Sequence, residues 1–427
     1  MDAHFAVYFQ KFKPFVTRMR TDWPDQVRNG KSGSTLRLRL KNYFSSLGVI
    51  LVKVVLITKT LTKGGAASGA RNLLGALRAA GAEVTVLDAS AQIQRHPIRA
   101  VRVAERVVER LTRDAETHFL RLGPPSFDLK TVYRRYKPDI IQLCDISANT
   151  ILFSDIAHLP CPVVHRMSDF WPYHGAHHYA ESPSQQTDLA DRILQRLVFD
   201  GRSMPHRRVA PSHWLASRLG GRGVSVIRNA VAVPRHVEQR SPVEGLVRFG
   251  FISGQIMDPR KSYAALPPLL NTLADRVDKK VQLHVFGRNA NGSVLDITGV
   301  ETIHHPAFSS TDLARVFASF DILLCPSRLD NSPNVVTEAL AHSTPVIGQK
   351  GTGMESYIRQ DVGGLIDFHR LCGSADEEFL GVVQAISRDY ERLCSQAVRY
   401  AREALSPPVI GNLYLDLYEE ILIKGLK

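Results

Sequence analysis

Cysteine is scarce and scattered in this 427-residue chain. Its five residues, Cys144, Cys161, Cys325, Cys372 and Cys394, are odd in number and form no Cys-x-x-Cys pair. That excludes a disulfide framework and a standard zinc ribbon, and it points to a reducing compartment. No run of about 18 apolar residues occurs, so no membrane-spanning helix is expected. The nearest candidate, 47–58, is interrupted by Lys53. The opening MDAHFAVYFQKFKPF lacks the apolar stretch of a secretory signal, so the expected location is the cytoplasm. Neither a Walker A loop nor Gly-x-Gly-x-x-Gly is present. Gly (29) and Pro (23) are too ordinary for a collagenous or low-complexity chain. With 44% hydrophobic and 22% charged residues the chain reads as globular, and at about 150 residues per domain its length suggests two or three domains.

The net charge is +13, unevenly placed. Residues 1–48 hold nine Lys/Arg against three acids, and residues 91–122 hold seven Arg against four acids. In the second stretch Arg99, Arg102, Arg106, Arg110 and Arg113 recur at steps of three and four. Val101, Ala104, Val107 and Leu111 follow the same period on another face, so an amphipathic helix with an arginine stripe is expected. The stripe is either a solvated helix face or a surface for anionic lipid headgroups. Nucleic acid is disfavoured, because no recognised nucleic-acid motif accompanies the charge.

From Lys53 onward, short β-branched runs alternate with helical patterns. Strands are expected at 52–58, 83–88, 139–143, 161–165, 207–210 and 224–228, with a helix over 66–80. A polar, Pro-containing linker follows at 230–245. The rhythm restarts with strands at 247–252, 281–287, 301–305, 321–326 and 344–348. Helices are expected near 262–276, 310–319, 333–342, 374–404 and 409–424. Alternation of this kind argues for α/β architecture with parallel sheets covered on both faces. Two such domains in tandem place a ligand in the cleft between them.

The most informative stretch is CPSRLDNSPNVVTEALAHSTPVIG (325–348). A buried strand runs into a loop and then a helix. Ser332 is a natural N-cap and Pro333 a natural first helical residue. The N–H groups of Asn334 and Val335 are then free for a phosphate or a sugar hydroxyl. Asp330 and Glu338 bracket that helix start. They are either two solvated acids on a capped helix or ligands for sugar hydroxyls. MDPRKSY (257–263) offers Arg260 and Lys261 as cations for an anionic ligand. TKTLTKGGAASGA (58–70) carries a glycine pair, Gly64 and Gly65, between a strand and a helix. By itself that is a tight turn, or a place where backbone approaches a ligand closely. His174, His177 and His178 match no standard zinc spacing and no partner is evident, so no metal is expected.

Asp330, seven intervening residues, Glu338 and the following Ala-x-Ala and x-Pro-Val-Ile resemble the signature of GT-B glycosyltransferases of the large retaining family 4. MDPRKSY is similar to the family's DPRKG segment, with Ser262 in place of the usual Gly. HRMSDFWPYHGAHHY (165–179) is similar to HDMWPFTGGCHY of an exopolysaccharide-building subgroup, with Ser168 in place of its His. Gln142 and Cys144 stand where the family often has His-x-His. In VIRNAV, only Asn229 matches the family's IPNGID.

The resemblance implies an α/β GT-B fold: two Rossmann-like, doubly wound domains facing a central cleft. Residues 1–48 would be a basic extension, 49–235 the acceptor domain and 240–408 the donor domain, with the helix at 409–427 returning to the first. It implies sugar transfer with retention from a nucleotide-diphosphate sugar to a glycan or polyprenyl-linked acceptor, in bacterial surface or exopolysaccharide synthesis. Lys261 and Arg260 would neutralise the diphosphate, Asp330 would face the sugar and Glu338 would hold the ribose. Gly64, Gly65, Asn331, Ser332, Asn334 and Val335 would line the donor site, with Gly287 and Arg288 near the base. Asp169 would orient the acceptor or stabilise charge at the cleft, unless it is only a loop Asp that caps a turn, and Trp171 and His178 would lie on the acceptor side. The chain has no Asp-x-Asp pair for a metal on the diphosphate, so a metal-independent reaction without cofactor is expected, and peripheral attachment to the inner face of the plasma membrane. The alternative is a non-catalytic homologue serving as a scaffold or partner subunit, motivated by Asp330, where the family commonly has Glu, and by the missing histidines at 142, 144 and 168; a phosphorylase or synthase on the same fold, using a sugar phosphate, is a further rival.

Overall fold

The computed structural model describes residues 52–62, 64–90, 125–147, 150–171, 173, 205–220, 223–238, 240–289, 297–370 and 374–424. Neither 1–48 nor the arginine stripe at 99–113 falls within them. Val52–Lys427 make up one unit that holds two six-stranded sheets.

The first sheet contains β1 (Lys53–Thr58), β2 (Glu83–Asp88), β3 (Ile140–Leu143), β4 (Val163–Arg166), β5 (Arg207–Ala210) and β6 (Val224–Val226). The second contains β7 (Leu246–Gln255), β8 (Lys280–Arg288), β9 (Val300–His305), β10 (Ile322–Cys325), β11 (Val346–Gln349) and β12 (Gly363–Ile366). Their orders are β2-β1-β3-β4-β5-β6 and β12-β11-β10-β7-β8-β9, and neighbouring strands pair in parallel. Helices α1 (Gly65–Ala79), α2 (Leu129–Tyr136), α3 (His213–Arg218), α4 (Leu266–Arg276), α5 (Leu313–Ala318), α6 (Asn334–Ala341), α7 (Ser374–Arg388), α8 (Tyr390–Tyr400) and α9 (Pro407–Lys424) connect and cover them.

The β-branched runs form strands because both faces of each sheet are buried. In β10, Ile322 and Leu324 enter a cluster with Phe249, Leu283 and Phe379, while Leu323 and Cys325 enter another with Phe286, Val336 and Tyr357. This period of two is what a fully covered parallel strand requires. Cys144, Cys161, Cys325 and Cys394 are free and buried among these layers.

Strand β12 escapes the sequence pattern because it opens with two glycines, which read as a turn. They are needed here: a Cβ at Gly363 would collide with the Val346 carbonyl, and one at Gly364 with Val382. The single helix expected over 374–404 is two helices, divided at Asp389, whose φ of −112° and ψ of 25° leave the helical range. Tyr390, just beyond, is buried in the second sheet's core. A π turn, Ala401–Leu405, then ends the run before Pro407, and the Leu405 carbonyl takes its hydrogen bond from Val231 instead.

Helix α9 returns to the first sheet. Gly411 sits so close to the Ala76 carbonyl of α1 that a Cβ would clash, and the Tyr418 hydroxyl donates to Gln142 Oε1 at 2.6 Å. Gln142 Nε2 donates to the Leu143 carbonyl, so this buried amide is consumed by packing. Among the described residues no helix is long and apolar enough to cross a membrane.

Candidate functional site

In each sheet the strand order reverses at one point, and loops leaving the carboxyl ends of the strands diverge there to form a crevice. In the second sheet the reversal lies between β7 and β10. The β7 loop carries Arg260 and Lys261, and the β10 loop carries Asp330. In the first sheet it lies between β1 and β3, whose loops carry Gly64, Gly65 and Asp145. The two crevices face one cleft of about 620 Å³. Gly65, Asp145, Arg166, Ser168 and Asp169 line it from the first sheet, and Ser253, Arg260, Lys261, Arg288 and 330–335 from the second.

The β7 loop is built by its own sequence. Asp258 accepts from the Arg260 N–H at 2.9 Å, and Pro259 starts a single 3₁₀ turn, Pro259–Lys261. Ser262 follows with φ 57° and ψ 41°, the left-handed region. That conformation explains a glycine preference at this position, since a side chain there costs about 1–2 kcal/mol. The turn presents Lys261 Nζ to Asp330 Oδ2 at 2.6 Å, with Arg260 Nη1 at 3.5 Å from the same oxygen and 3.1 Å from the Leu329 carbonyl. Two residues expected to do separate tasks are thus bonded to each other.

Beyond Asp330 the loop is fastened across the cleft. Asn331 accepts from Ser212 Oγ at 2.6 Å and donates from Nδ2 to the Ser168 carbonyl at 3.1 Å. Ser332 does not cap α6. Its hydroxyl donates to Tyr357 Oη at 2.6 Å and accepts from Asn229 Nδ2 at 2.7 Å. The cap position belongs to Pro333, and no side chain caps the helix. The first-turn N–H groups of Asn334 and Val335 therefore face the cleft without a side-chain cap. Asn334 Nδ2 donates to the Gly65 carbonyl at 3.0 Å, and its Oδ1 is buried with no hydrogen bond among the described residues.

Glu338 lies one turn further along α6. Its carboxylate makes no hydrogen bond within the described residues, and desolvation pushes its pKa up to about 7, opposed by the Arg71 guanidinium on α1. Glu338 is not among the residues that line the cleft, which end on α6 at Val335, but a buried carboxyl raised in this way one turn beyond that lining is a functional candidate.

Several expected residues take other places. Trp171, expected on the acceptor side, is packed into the first domain's core with Phe153 and Val163. Gly287 is not on the cleft surface. It has φ 145° and no room for a Cβ against the Ser253 carbonyl, so it lets β8 pass the bulge in β7. Arg288 does reach the cleft, with Nε donating to the Gly254 carbonyl at 3.3 Å. Gly64 takes φ 94° as the cap of α1, next to Gly65. Asp169 lines the cleft and also caps its own turn, accepting from the Trp171 N–H at 3.0 Å. His174, His177 and His178 lie outside the described residues, among which no metal-holding group of His, Cys, Asp or Glu occurs.

Position 144 holds no titratable substitute for an imidazole. Burial pushes the Cys144 thiol up to about 12, and a thiol of that kind is unreactive. His165 is held neutral by burial, with its pKa down to about 4, between Tyr173 Oη at 3.0 Å and the Cys144 carbonyl at 3.2 Å. The sequence reading missed Arg166, Ser212 and Tyr357. Each has at least one partner more than sixty positions away, and no local spacing signals that.

A family model described as glycosyl transferases group 1 matches residues 250–386, and one described as glycosyltransferase family 4 matches residues 63–235. Each covers most of one of the two sheets that meet at the cleft, the family 4 match beginning after β1 and the group 1 match within β7. The chain belongs to the GT-B glycosyltransferases of the family 4 type. No curated protein matches this glycosyltransferase significantly. Among solved structures, HepE of Anabaena in complex with UDP is 16% identical, with 86% of this chain and 100% of that chain covered and a TM-score of 0.53. Sucrose-phosphate synthase from Thermosynechococcus elongatus is 14% identical over 87% and 99%, with a TM-score of 0.58. The lipopolysaccharide outer core galactosyltransferase WaaB in its apo form is 13% identical over 88% and 100%, with a TM-score of 0.55. At these identities the likeness establishes the fold.

Proposed function

We propose that this glycosyltransferase moves a sugar from a nucleotide-diphosphate sugar to a glycan or polyprenyl-linked acceptor, with retention and without a metal, in polysaccharide synthesis at a membrane surface. The observation that carries the proposal is the meeting of Lys261, Arg260 and the uncapped start of α6 around Asp330, at the strand-order reversal of the second sheet. Leaving-group charge on a diphosphate would develop between the ammonium and those N–H groups. In enzymes generally, one such preorganised donor is worth about 10²–10³ in rate. Asp330 would hold the transferred sugar by its hydroxyls while keeping Lys261 in place. Glu338, with no hydrogen bond of its own among the described residues, would accept from the ribose hydroxyls. HepE has been crystallised with UDP and with UDP-glucose, which makes uridine the first base to try.

The test incubates the full chain with UDP-, GDP- and ADP-sugars, with and without EDTA, and measures nucleoside diphosphate released by transfer or slow hydrolysis. One donor class is expected to turn over, insensitive to EDTA, with activity falling at least about 10²-fold in Lys261→Ala, the loss of one charged donor. Turnover abolished by EDTA would overturn metal independence. Absence of turnover with every donor by a folded protein would favour the scaffold reading.

A further inference from the structure

Arg166 takes no part in the Lys261–Asp330 cluster. It ends β4 at the carboxyl edge of the first sheet, is only 4% exposed, and borders the cleft. Its guanidinium donates from Nη2 to Asn229 Oδ1 at 2.6 Å and from Nη1 to Ser168 Oγ at 3.1 Å. Both acceptors are neutral. Arg248 has Asp321, and Arg260 and Lys261 share Asp330, but no carboxylate among the described residues pairs with Arg166. A buried guanidinium lacking a counter-charge is costly, and a fold that keeps one at a cleft leaves room for an anion.

The surroundings are arranged around that charge. Gly69, on the first turns of α1, lies so close that a Cβ there would collide with the guanidinium. A glycine inside a helix is unfavourable relative to alanine, so this one is tolerated for the space it leaves. Gly65 and Ala66, at the positive end of the same helix, line the same cleft, and no side chain caps them. The wall's two acids are engaged locally: Asp145 accepts from the Ser147 N–H and hydroxyl, and Asp169 from the Trp171 N–H.

We propose that Arg166 binds a substrate phosphate group from the first domain's wall, facing Lys261 across the cleft. The proposal rests on the reading of the cleft as a nucleotide-sugar site. The chemistry is that of a phosphate ester or diphosphate, and its source is either the donor or a phosphorylated acceptor.

Calorimetric titration of the full chain separates these. The proteins are wild type, Arg166→Gln, Arg166→Lys and Gly69→Ala. The last leaves the arginine in the chain but displaces the end of its side chain. In the first arm UDP, GDP and ADP are titrated, with uridine, guanosine and adenosine as uncharged controls. In the second, inorganic phosphate is titrated into protein saturated with the nucleoside diphosphate that binds. If the donor supplies the phosphate, Arg166→Gln weakens the diphosphate at least about tenfold and spares the nucleoside, as expected for loss of a charge-assisted contact. If the acceptor supplies it, the first arm is unchanged, and phosphate binding in the second is lost in Arg166→Gln. In either case Gly69→Ala follows Arg166→Gln, and Arg166→Lys lies between that variant and wild type.

Equal weakening of nucleoside and diphosphate, with a lowered melting temperature of the ligand-free protein, would reduce Arg166 to a structural residue and overturn the proposal. Unchanged affinities in both arms would also overturn it. If no nucleoside diphosphate binds wild type, the nucleotide-sugar reading fails. Phosphate titrated into the empty protein then decides for Arg166 alone, and no binding there overturns this inference too.

Discussion

Removing one oxygen from Tyr357 should loosen the floor of the cleft. The ring is fully buried, and its hydroxyl donates to the Pro211 carbonyl at 2.7 Å while accepting from the Asn229 N–H at 3.1 Å and from Ser332 Oγ at 2.6 Å. Pro211 and Asn229 follow strands of the first sheet, whereas Ser332 and Tyr357 belong to the second, so this oxygen ties the two together. Tyr357→Phe keeps the ring packing and strands the buried Asn229 N–H and the Pro211 carbonyl, while the Ser332 hydroxyl loses an acceptor but keeps its bond from Asn229 Nδ2. An orphaned buried polar group costs about 1–3 kcal/mol, so a loss of about 2–4 kcal/mol is expected for the pair. Tyr400→Phe is the control: Tyr400 accepts from Arg228 Nη1 at 3.0 Å and donates to the Ser356 carbonyl only at 3.5 Å, so its loss should stay near about 1 kcal/mol. Urea unfolding followed by fluorescence gives both values. A double mutant with Ser332→Ala should be non-additive by about 1 kcal/mol, because the two share one network. A loss below about 0.5 kcal/mol in Tyr357→Phe would refute the claim that this hydroxyl joins the domains.

Three other outcomes follow from particular contacts. The pKa of Glu338 is raised from 4.5 to about 7, so the native state binds the extra proton between those values and stability falls as pH rises through that window. Full conversion is worth at most about 3 kcal/mol, and Glu338→Gln should flatten the melting-temperature profile between pH 4.5 and 7. If the carboxylate accepts from a ribose, wild-type nucleotide affinity should rise with pH through about 7 and that rise should vanish in the variant; a pH-independent affinity would exclude the ribose contact. Gly353→Ala places a Cβ against the Asn331 carbonyl, while the Gly353 N–H holds the Asp330 carbonyl at 2.9 Å. Overpacking there should cost about 1–3 kcal/mol and weaken nucleotide binding, read by urea unfolding and calorimetry. Asp330→Asn removes the negative charge that Lys261 and Arg260 share; it should slow transfer more than it weakens the free nucleoside diphosphate, visible as a drop in kcat with little change in Kd.

Much of the fold was legible because burial on both faces favours apolar, often β-branched runs in the strands, as in β1, β3 and β4. Strand β12 was hidden by the glycines that its own packing demands. The break at Asp389 was hidden because the apolar period continues across it. Lys261 and Asp330 were readable through their likeness to the family's motifs, and Asn334 as the first turn of a helix that follows a buried strand. Ser332 misled, since a natural cap residue is also a good hydrogen-bond partner, and Asn229 and Tyr357 claim it first. Trp171 misled in the same way: an aromatic beside a cleft motif is large enough to serve the core instead. Arg166 was invisible because a lone arginine at a strand end says nothing of what surrounds it after folding.

The central claim is that the cleft around Lys261, Asp330 and Glu338 holds a nucleoside diphosphate. The most direct measurement is a thermal-shift panel with UDP, GDP and ADP on wild type, Lys261→Ala and Glu338→Ala. A nucleotide at about 100 times its dissociation constant should add roughly 2.7 kcal/mol, with the melting temperature rising accordingly. The wild type should shift with one nucleotide, and that shift should be reduced or lost in both variants. A shift that persists unchanged in both variants, or none with any nucleotide, would contradict it.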